Sequence, residues 1–424
     1  METKPNRLLS LDAFRGLTIA GMILVNNPGS WSNIYPPLQH AKWNGWTATD
    51  LVFPFFLFIV GVALPFSMAK RREADSWQWK ALPHIIARTL TLFLLGMSMY
   101  GFPNFRLIGP YVLLIAGLQL AFANIPLKHS VTQAPRRWQP TVGGLLILAG
   151  GAYLVLDWSY FCDSGLRVPG VLQRIAVCYF AASVVFIAGG LRGAAVAAVV
   201  LLVGYAWIGA NVTAPAGYTA DVTGSEGLLH SWVDDQFLAG HLYRERPDPE
   251  GLLSTLGAIA TTLLGVLTGG WLRGSSDGHV KAIGIFVVGN VCLLCGMCLD
   301  WIVPINKKIW TSSYVIITAG LALQVLGTCY ALIDLRRWRK WCSPLLVFGS
   351  NAIVVFIASS LTAKMLHRWK IAEDGPSVGR WIYQNLFTSW AEPQLASLCY
   401  ALAYVTCWLI LMIPLYRKRI FIKV

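Results

Sequence analysis

Charge is scarce in this chain. Of its 424 residues 13% are Asp, Glu, Lys or Arg, against 56% hydrophobic, and the mean hydropathy is +0.57. Such a composition excludes an ordinary soluble globular domain. Familiar catalytic signatures are missing too: there is no Walker loop, no GxSxG, no HExxH, and no GxGxxG in a strand-turn-helix context. Hydrolase and nucleotide-fold readings therefore have nothing to rest on. The nine cysteines are scattered, mostly inside apolar segments, and indicate neither a disulfide framework nor a zinc site. Cys292, Cys295 and Cys298 form the one cluster; their spacing puts them on one helical stripe, with no His nearby, and they read as packing. The basic excess, 34 Lys plus Arg over 20 Asp plus Glu, does not point to nucleic acid, because the cations fall between long apolar runs. That is the positive-inside pattern of a polytopic membrane protein.

A hydrocarbon core about 30 Å thick requires roughly 20 mainly apolar residues per helix. By that rule the sequence predicts an all-α bundle of about twelve spans (10 to 12), at 8–27, 49–69, 82–100, 108–126, 141–157, 169–190, 193–210, 252–272, 280–300, 310–333, 342–365 and 394–415. Basic residues at Lys70, Arg71 and Arg72, at Arg136 and Arg137, at 336–340 and at 417–419 mark cytoplasmic ends, which puts both termini inside. Asp12 and Arg15 interrupt the first apolar run, so it is not expected to be a cleavable signal peptide. The whole of 1–424 reads as a single transmembrane domain. Three outer loops, 28–48, 211–251 and 366–393, are long enough to carry function and are expected to line the outer site. A stretch from Phe105 echoes one from Leu166, which suggests a duplicated helix hairpin.

Ionisable side chains within spanning helices cost about 2.5 to 3.5 kcal/mol each at the helix centre, so each asks for a partner or a role. Asp12 and Arg15 lie three apart on one helical face: they either neutralise each other or leave Arg15 to fork onto a cytoplasmic phosphate. Gln173 and Arg174 follow Pro169 and Gly170 near the outer end of the sixth segment, among apolar neighbours. Asn26 and Asn27 close the first helix, where capping is the plain role. The run from Leu38 to Asp50 is the densest polar stretch beside a helix and holds His40, Lys42, Asn44 and Asp50; Thr49 or Asp50 is the expected N-cap of the second helix. The remaining histidines have no metal-ligand spacing.

Five blocks occur in this order: LDAFRGLTIAGMILVNN, QHAKWNGWTATDLVFPFFLFIVG, RVPGVLQRIAVCYF, DPEGLLSTLGAI and PINKKIWTSSYV. Together they resemble the motif series of the heparan-α-glucosaminide N-acetyltransferase family, and more closely its bacterial, NagX-type members. The chain is expected to lack the additional luminal domain of the lysosomal enzyme. The resemblance implies acetyl transfer from cytoplasmic acetyl-CoA, without a metal, to a glucosamine-type amine on the far side of a bacterial inner membrane. By motif, the family's active-site histidine falls on His40 and its helix-closing asparagine on Asn26. The stretch between them, with Pro28, Pro36 and Pro37, is longer than in the lysosomal enzyme, and the hairpin between Met99 and Arg167 adds two spans to the family's core. The resemblance also implies a homodimer; no nucleic-acid partner is expected.

The chemistry of the residues agrees. An amine attacks a thioester only as the neutral base, and His, with an unperturbed pKa of about 6.5, suits removal of its proton. His40 is the expected general base, Asn26 an amide donor to the oxyanion, and Asp50 an orienter of the imidazole if the loop folds back on the second helix. Transfer through an acetylated His40 stays open, with direct transfer in a ternary complex favoured. Arg15, Lys70 and Arg71 are the expected phosphate contacts; Arg174, Asn306 and Lys307 are expected to border the cofactor further out. Asn44, Asp248 and Glu250 are the expected acceptor contacts, the last two also being candidates for capping the eighth segment. Two other classes remain: a transporter of amino sugars or muropeptides, and an O-acetyltransferase of envelope glycans.

Overall fold

A computed structural model describes residues 8–72, 78–122, 138–216, 218, 228–243 and 246–422. In chain order its α-helices are α1 (Leu9–Asn26), α2 (Ala48–Arg72), α3 (Leu82–Gly101), α4 (Phe105–Phe122), α5 (Gln139–Leu156), α6 (Trp158–Asp163), α7 (Val171–Asn211) and α8 (Leu229–Leu238). There follow α9 (Thr255–Arg273), α10 (Gly278–Asp300), α11 (Ser312–Cys329), α12 (Ser343–Ser350), α13 (Ala352–Arg368), α14 (Val378–Leu386) and α15 (Pro393–Arg417). Among the described residues ten helices are long and apolar enough to cross a membrane, or eleven if the bent pair α12 and α13 is one span. The chain is a polytopic helical membrane protein, as its composition requires: in lipid every backbone N–H and C=O must be paired, and helices do this within each segment.

Two expected segments are joined and one is broken. At 1.5 Å per residue α7, with 41 residues, would run about 62 Å if straight, twice a ~30 Å core. It is not straight, because Gly190 (φ 59°, ψ −149°) leaves the helical region and reverses the chain. The arms lie side by side: Arg174 stacks 5.1 Å from the Trp310 ring, while the Tyr205 hydroxyl, 31 residues further on, donates to the carbonyl of the adjoining Ile309. Tyr179 and Phe186 of one arm and Ala194 and Ala198 of the other share an apolar cluster with Leu263 and Val266 of α9. The expected spans 169–190 and 193–210 are the arms of this hairpin. The expected span 342–365 bends by 83° between α12 and α13. Asn351 at the bend is 2% exposed, and its amide donates to Ile420 O and accepts from Ile422 N, each at 2.9 Å.

The chain divides into two compact units. One comprises residues 1–59, 274–307 and 316–423 and the other 60–273 and 308–315. In the first, α1 and α12 approach through reciprocal glycines: a side chain on Gly16 would strike the Leu345 carbonyl, and one on Gly349 the Asp12 carbonyl. Such small residues let backbones meet where lipid supplies no hydrophobic drive between helices. Phe14 and Ile19 of α1 and Phe348 of α12 are almost fully buried. The second unit repeats the device, with the C-terminal half of α2 against α9 at Gly61 and Gly269.

Candidate active site

The start of α2 explains how a polar loop acquires a fixed geometry. Pro36–Leu38 forms one 3-10 turn, which the Leu38 carbonyl ties to α2 by accepting from Thr49 Oγ1 at 2.7 Å. Thr47, not Thr49 or Asp50, stands at the cap position: its N–H donates to Asp50 Oδ2 at 3.1 Å, three residues on, a capping-box arrangement. The Thr47 hydroxyl donates to Gln39 O at 2.5 Å, and Ala41 N donates to Asp50 Oδ2 at 3.0 Å. One carboxylate oxygen thus folds the loop back onto the helix. The other, Oδ1, lies 2.7 Å from His40 Nδ1 and 2.9 Å from Lys307 Nζ.

Lys307 Nζ is also 2.9 Å from His40 Nδ1, which closes a three-membered cluster. Nδ1 cannot both donate to Asp50 and accept from Lys307. With the proton on Nδ1 and given to Asp50, Lys307 bonds to Asp50 alone and Nε2 keeps a free lone pair. The His40 side chain is 55% exposed while that of Asp50 is 1% exposed. A buried carboxylate therefore holds an imidazole whose outer nitrogen is open to a substrate.

Lys307 reaches the cluster through its own backbone. Gly45 N donates to Ile305 O at 2.7 Å, and Gly45 and Asn306 form an isolated parallel bridge. Gly45 has φ +91°, a left-handed conformation that suits glycine. Buried Asn306 donates to Asn44 Oδ1 at 3.3 Å, so the expected cofactor contact Asn306 and acceptor contact Asn44 meet beside the His40 cluster.

Other expected site residues lie elsewhere. Asn26 is exposed at the end of α1, outside the hydrogen-bonded cluster, while buried Asn27 donates back to Ile23 O at 2.7 Å and ends the helix. Arg15 donates to Asp12 Oδ1 at 3.1 Å, the neutralising pair that their spacing allowed. Lys70 and Arg71 fall on the last turn of α2, where the side chains lie outside the described residues.

The second unit holds a different polar assembly. Arg167 Nη2 lies 2.5 Å from both Asp248 Oδ1 and Glu250 Oε2, and its Nη1 donates to Tyr100 Oη at 3.0 Å. Burial works against the Arg167 cation, yet Glu250, Tyr100 and Asp248 outweigh it and hold its pKa above the ordinary value. Asp248 also accepts from Tyr243 N and Glu250 N at 2.7 and 2.9 Å. All its lone-pair directions face donors of its own chain, and none of these lies in the first turn of α9, so Asp248 ties Arg167 and its own loop together instead of capping that helix. Arg174, 2% exposed, donates to Gly251 O at 2.9 Å and Ser254 Oγ at 2.5 Å. Arg167, Tyr100, Ser254 and Trp310 were missed as functional neighbours, although Arg167 begins a quoted motif.

Behind them lie two buried titratable groups on α8. His230 sits 2.6 Å from Tyr205 Oη, and burial pushes its pKa down to about 4. Burial pushes Asp234 up to about 6, although Leu252 N donates to it at 2.8 Å.

The fold and the His40 cluster thus define a multi-pass membrane protein with an open imidazole held by a buried carboxylate. A family model described as a domain of unknown function, DUF5009, matches residues 7–102, the segment that carries His40 and Asp50. The chain is 24% identical over 474 aligned residues to heparan-alpha-glucosaminide N-acetyltransferase of Homo sapiens, covering 99% of this chain and 60% of that protein. To the protein of the same name from Mus musculus it is 25% identical, over 99% of this chain and 61% of the relative. The chain spans about 60% of the length of these curated relatives. The similarity to these two relatives extends along 99% of the chain, through all five of the sequence blocks.

Proposed function

We propose that the protein is a transmembrane N-acetyltransferase that moves acetyl from cytoplasmic acetyl-CoA to the amine of a glucosamine-type sugar on the periplasmic face of a bacterial inner membrane. The observation that carries this reading is the 2.7 Å contact between His40 and buried Asp50, which leaves Nε2 outward. The similarity to named N-acetyltransferases along 99% of the chain supports the choice of reaction.

In this reading the acceptor nitrogen attacks the thioester carbon as Nε2 of His40 takes its proton; the N–C bond forms, the C–S bond breaks, and the proton passes to the departing thiolate. Asp50 fixes the tautomer and steadies the transient imidazolium. A ternary complex is preferred to an acetyl-His40 intermediate, because an acyl-imidazole beside water would hydrolyse. Arg15, Lys70 and Arg71 are the proposed phosphate contacts, Arg174 and Asn306 the proposed cofactor contacts further out, and Asn44 a proposed acceptor contact. Asn26 as oxyanion donor rests on the resemblance alone.

The test is release of CoA thiol by purified protein in detergent with acetyl-CoA and glucosamine, comparing wild type with His40→Ala. Release that requires both glucosamine and His40 supports the reading. Release with a hydroxyl acceptor but none with glucosamine would make it an O-acetyltransferase, and sugar uptake into proteoliposomes without acetyl-CoA would make it a transporter.

A further inference from the structure

Lys307 stood among the candidate cofactor contacts, but its geometry points inward. Its side chain is 19% exposed, and its ammonium lies 2.9 Å from the buried oxygen that His40 uses and 2.9 Å from the imidazole nitrogen itself. A cation available to a phosphate would stand clear of other anions; this one donates to the buried Asp50 oxygen and lies against the imidazole that shares it. The groups facing His40 among the described residues are Asp50 from α2 and Lys307 from the segment after α10, one of each sign.

Those two charges act on the imidazole in opposite directions. A buried carboxylate alone would hold an imidazolium as an ion pair and keep its proton. An ammonium sharing that oxygen makes the same imidazolium a third charge beside a cation that already neutralises the carboxylate. We propose that Lys307 is a positioning residue for acetyl transfer: it balances Asp50 so that His40 stays a neutral base in the resting site and gives up its proton once the thiolate leaves. The inference rests on the acetyltransferase reading for its role in turnover, but not for its effect on His40. The electrons balance within the step above, since the proton removed from the amine is the one delivered to sulfur.

The test uses Lys307→Met, Lys307→Gln and Lys307→Arg in the full chain. Carbethoxylation by diethylpyrocarbonate reports the neutral imidazole, and peptide mass spectrometry isolates His40 from the other histidines. Loss of the ammonium should raise the pH midpoint of His40 labelling by about one unit, the usual effect of a neighbouring charge. Lys307→Gln, which keeps a donor without charge and guards against poor folding of the Met variant, should match it, and Lys307→Arg should restore the wild-type midpoint. In the CoA-release assay the acidic limb of kcat/KM should move the same way, about tenfold lower at pH 6, with the KM for acetyl-CoA unchanged. An unmoved labelling midpoint, or a raised KM for acetyl-CoA with an unmoved pH profile, would overturn the inference and return Lys307 to the cofactor. A shifted midpoint in a protein whose wild type releases no CoA would instead strike the acetyltransferase reading and leave the charge balance standing.

Discussion

The two units each carry a cluster of a cation and carboxylates, and the clusters are built to opposite ends. Around Arg167 every strong acceptor is matched by a donor of the same chain, down to the backbone N–H groups on Asp248. Around Asp50 the carboxylate is equally saturated, yet the imidazole it holds is more than half exposed, with one nitrogen left over. A closed cluster fixes backbone in a low-dielectric setting, where an unpaired charge is costly. An open one spends its buried members on orienting a single reactive atom.

Four experiments bear on that contrast, in order of expected size. His40→Ala should lower acetyl transfer about 10²–10⁴-fold, the range for a lost general base, while the melting temperature of the detergent-solubilised protein stays put; an equal fall in melting temperature would erase the distinction between the clusters. Asp248→Ala leaves Arg167 without its bidentate partner, so it should cost about 3–5 kcal/mol and show as loss of monodisperse protein in size-exclusion chromatography. Retained folding with lost turnover would move Asp248 into the catalytic cluster.

The third concerns pH. Burial pushes the Asp234 carboxyl up to about 6 in the folded chain, against 3.8 for a free aspartate side chain. A raised folded pKa means that its contribution is full below the unfolded value and is lost as pH rises through 6, by up to about 3 kcal/mol at neutral pH. Asp234→Asn should therefore gain thermal stability over wild type between pH 5 and pH 8. His230 runs the other way: with its folded pKa lowered to about 4, its contribution is present above the unfolded 6.5 and is lost as pH falls through 4. Melting curves at four pH values separate the two, and a gain for Asp234→Asn that is independent of pH would mean that the carboxyl is not the source. Last, Arg15→Gln should raise the KM for acetyl-CoA about tenfold, the loss of a charged hydrogen bond. An unchanged KM would leave Arg15 as the counter-ion of Asp12.

What the sequence made legible follows from physics that is local. Lipid forces apolar stretches into helices, so the spans could be read from run length, and the break at Asn351 was missed because the apolar run continues across it. The arms of α7 were legible as the separate spans 169–190 and 193–210, and the reversal at Gly190 falls where the first ends. His40 and Asp50 lie ten residues apart in one polar loop, and the pairing was readable once a fold-back was assumed. Thr47 takes the cap position in place of Thr49 or Asp50 because Asp50, three residues on, returns a carboxylate oxygen to the Thr47 N–H. Lys307 is 257 residues from Asp50 and 267 from His40, and the Gly45–Ile305 and Asn306–Asn44 bonds bring it there; no pattern along the chain records that closure.

The reversal in α7 also offers a handle on sidedness. Leu191 and Arg192 at its tip are exposed, whereas Arg174 and Tyr205, toward the opposite ends of the arms, reach the same Ile309–Trp310 stretch. A single cysteine at Arg192, probed with an impermeant maleimide in sealed vesicles, would report the face on which the tip emerges. Because both arms return together, that one label would also assign Arg174, Gly251 and Trp310 to the opposite leaflet, and with them the side from which any molecule must approach the closed cluster.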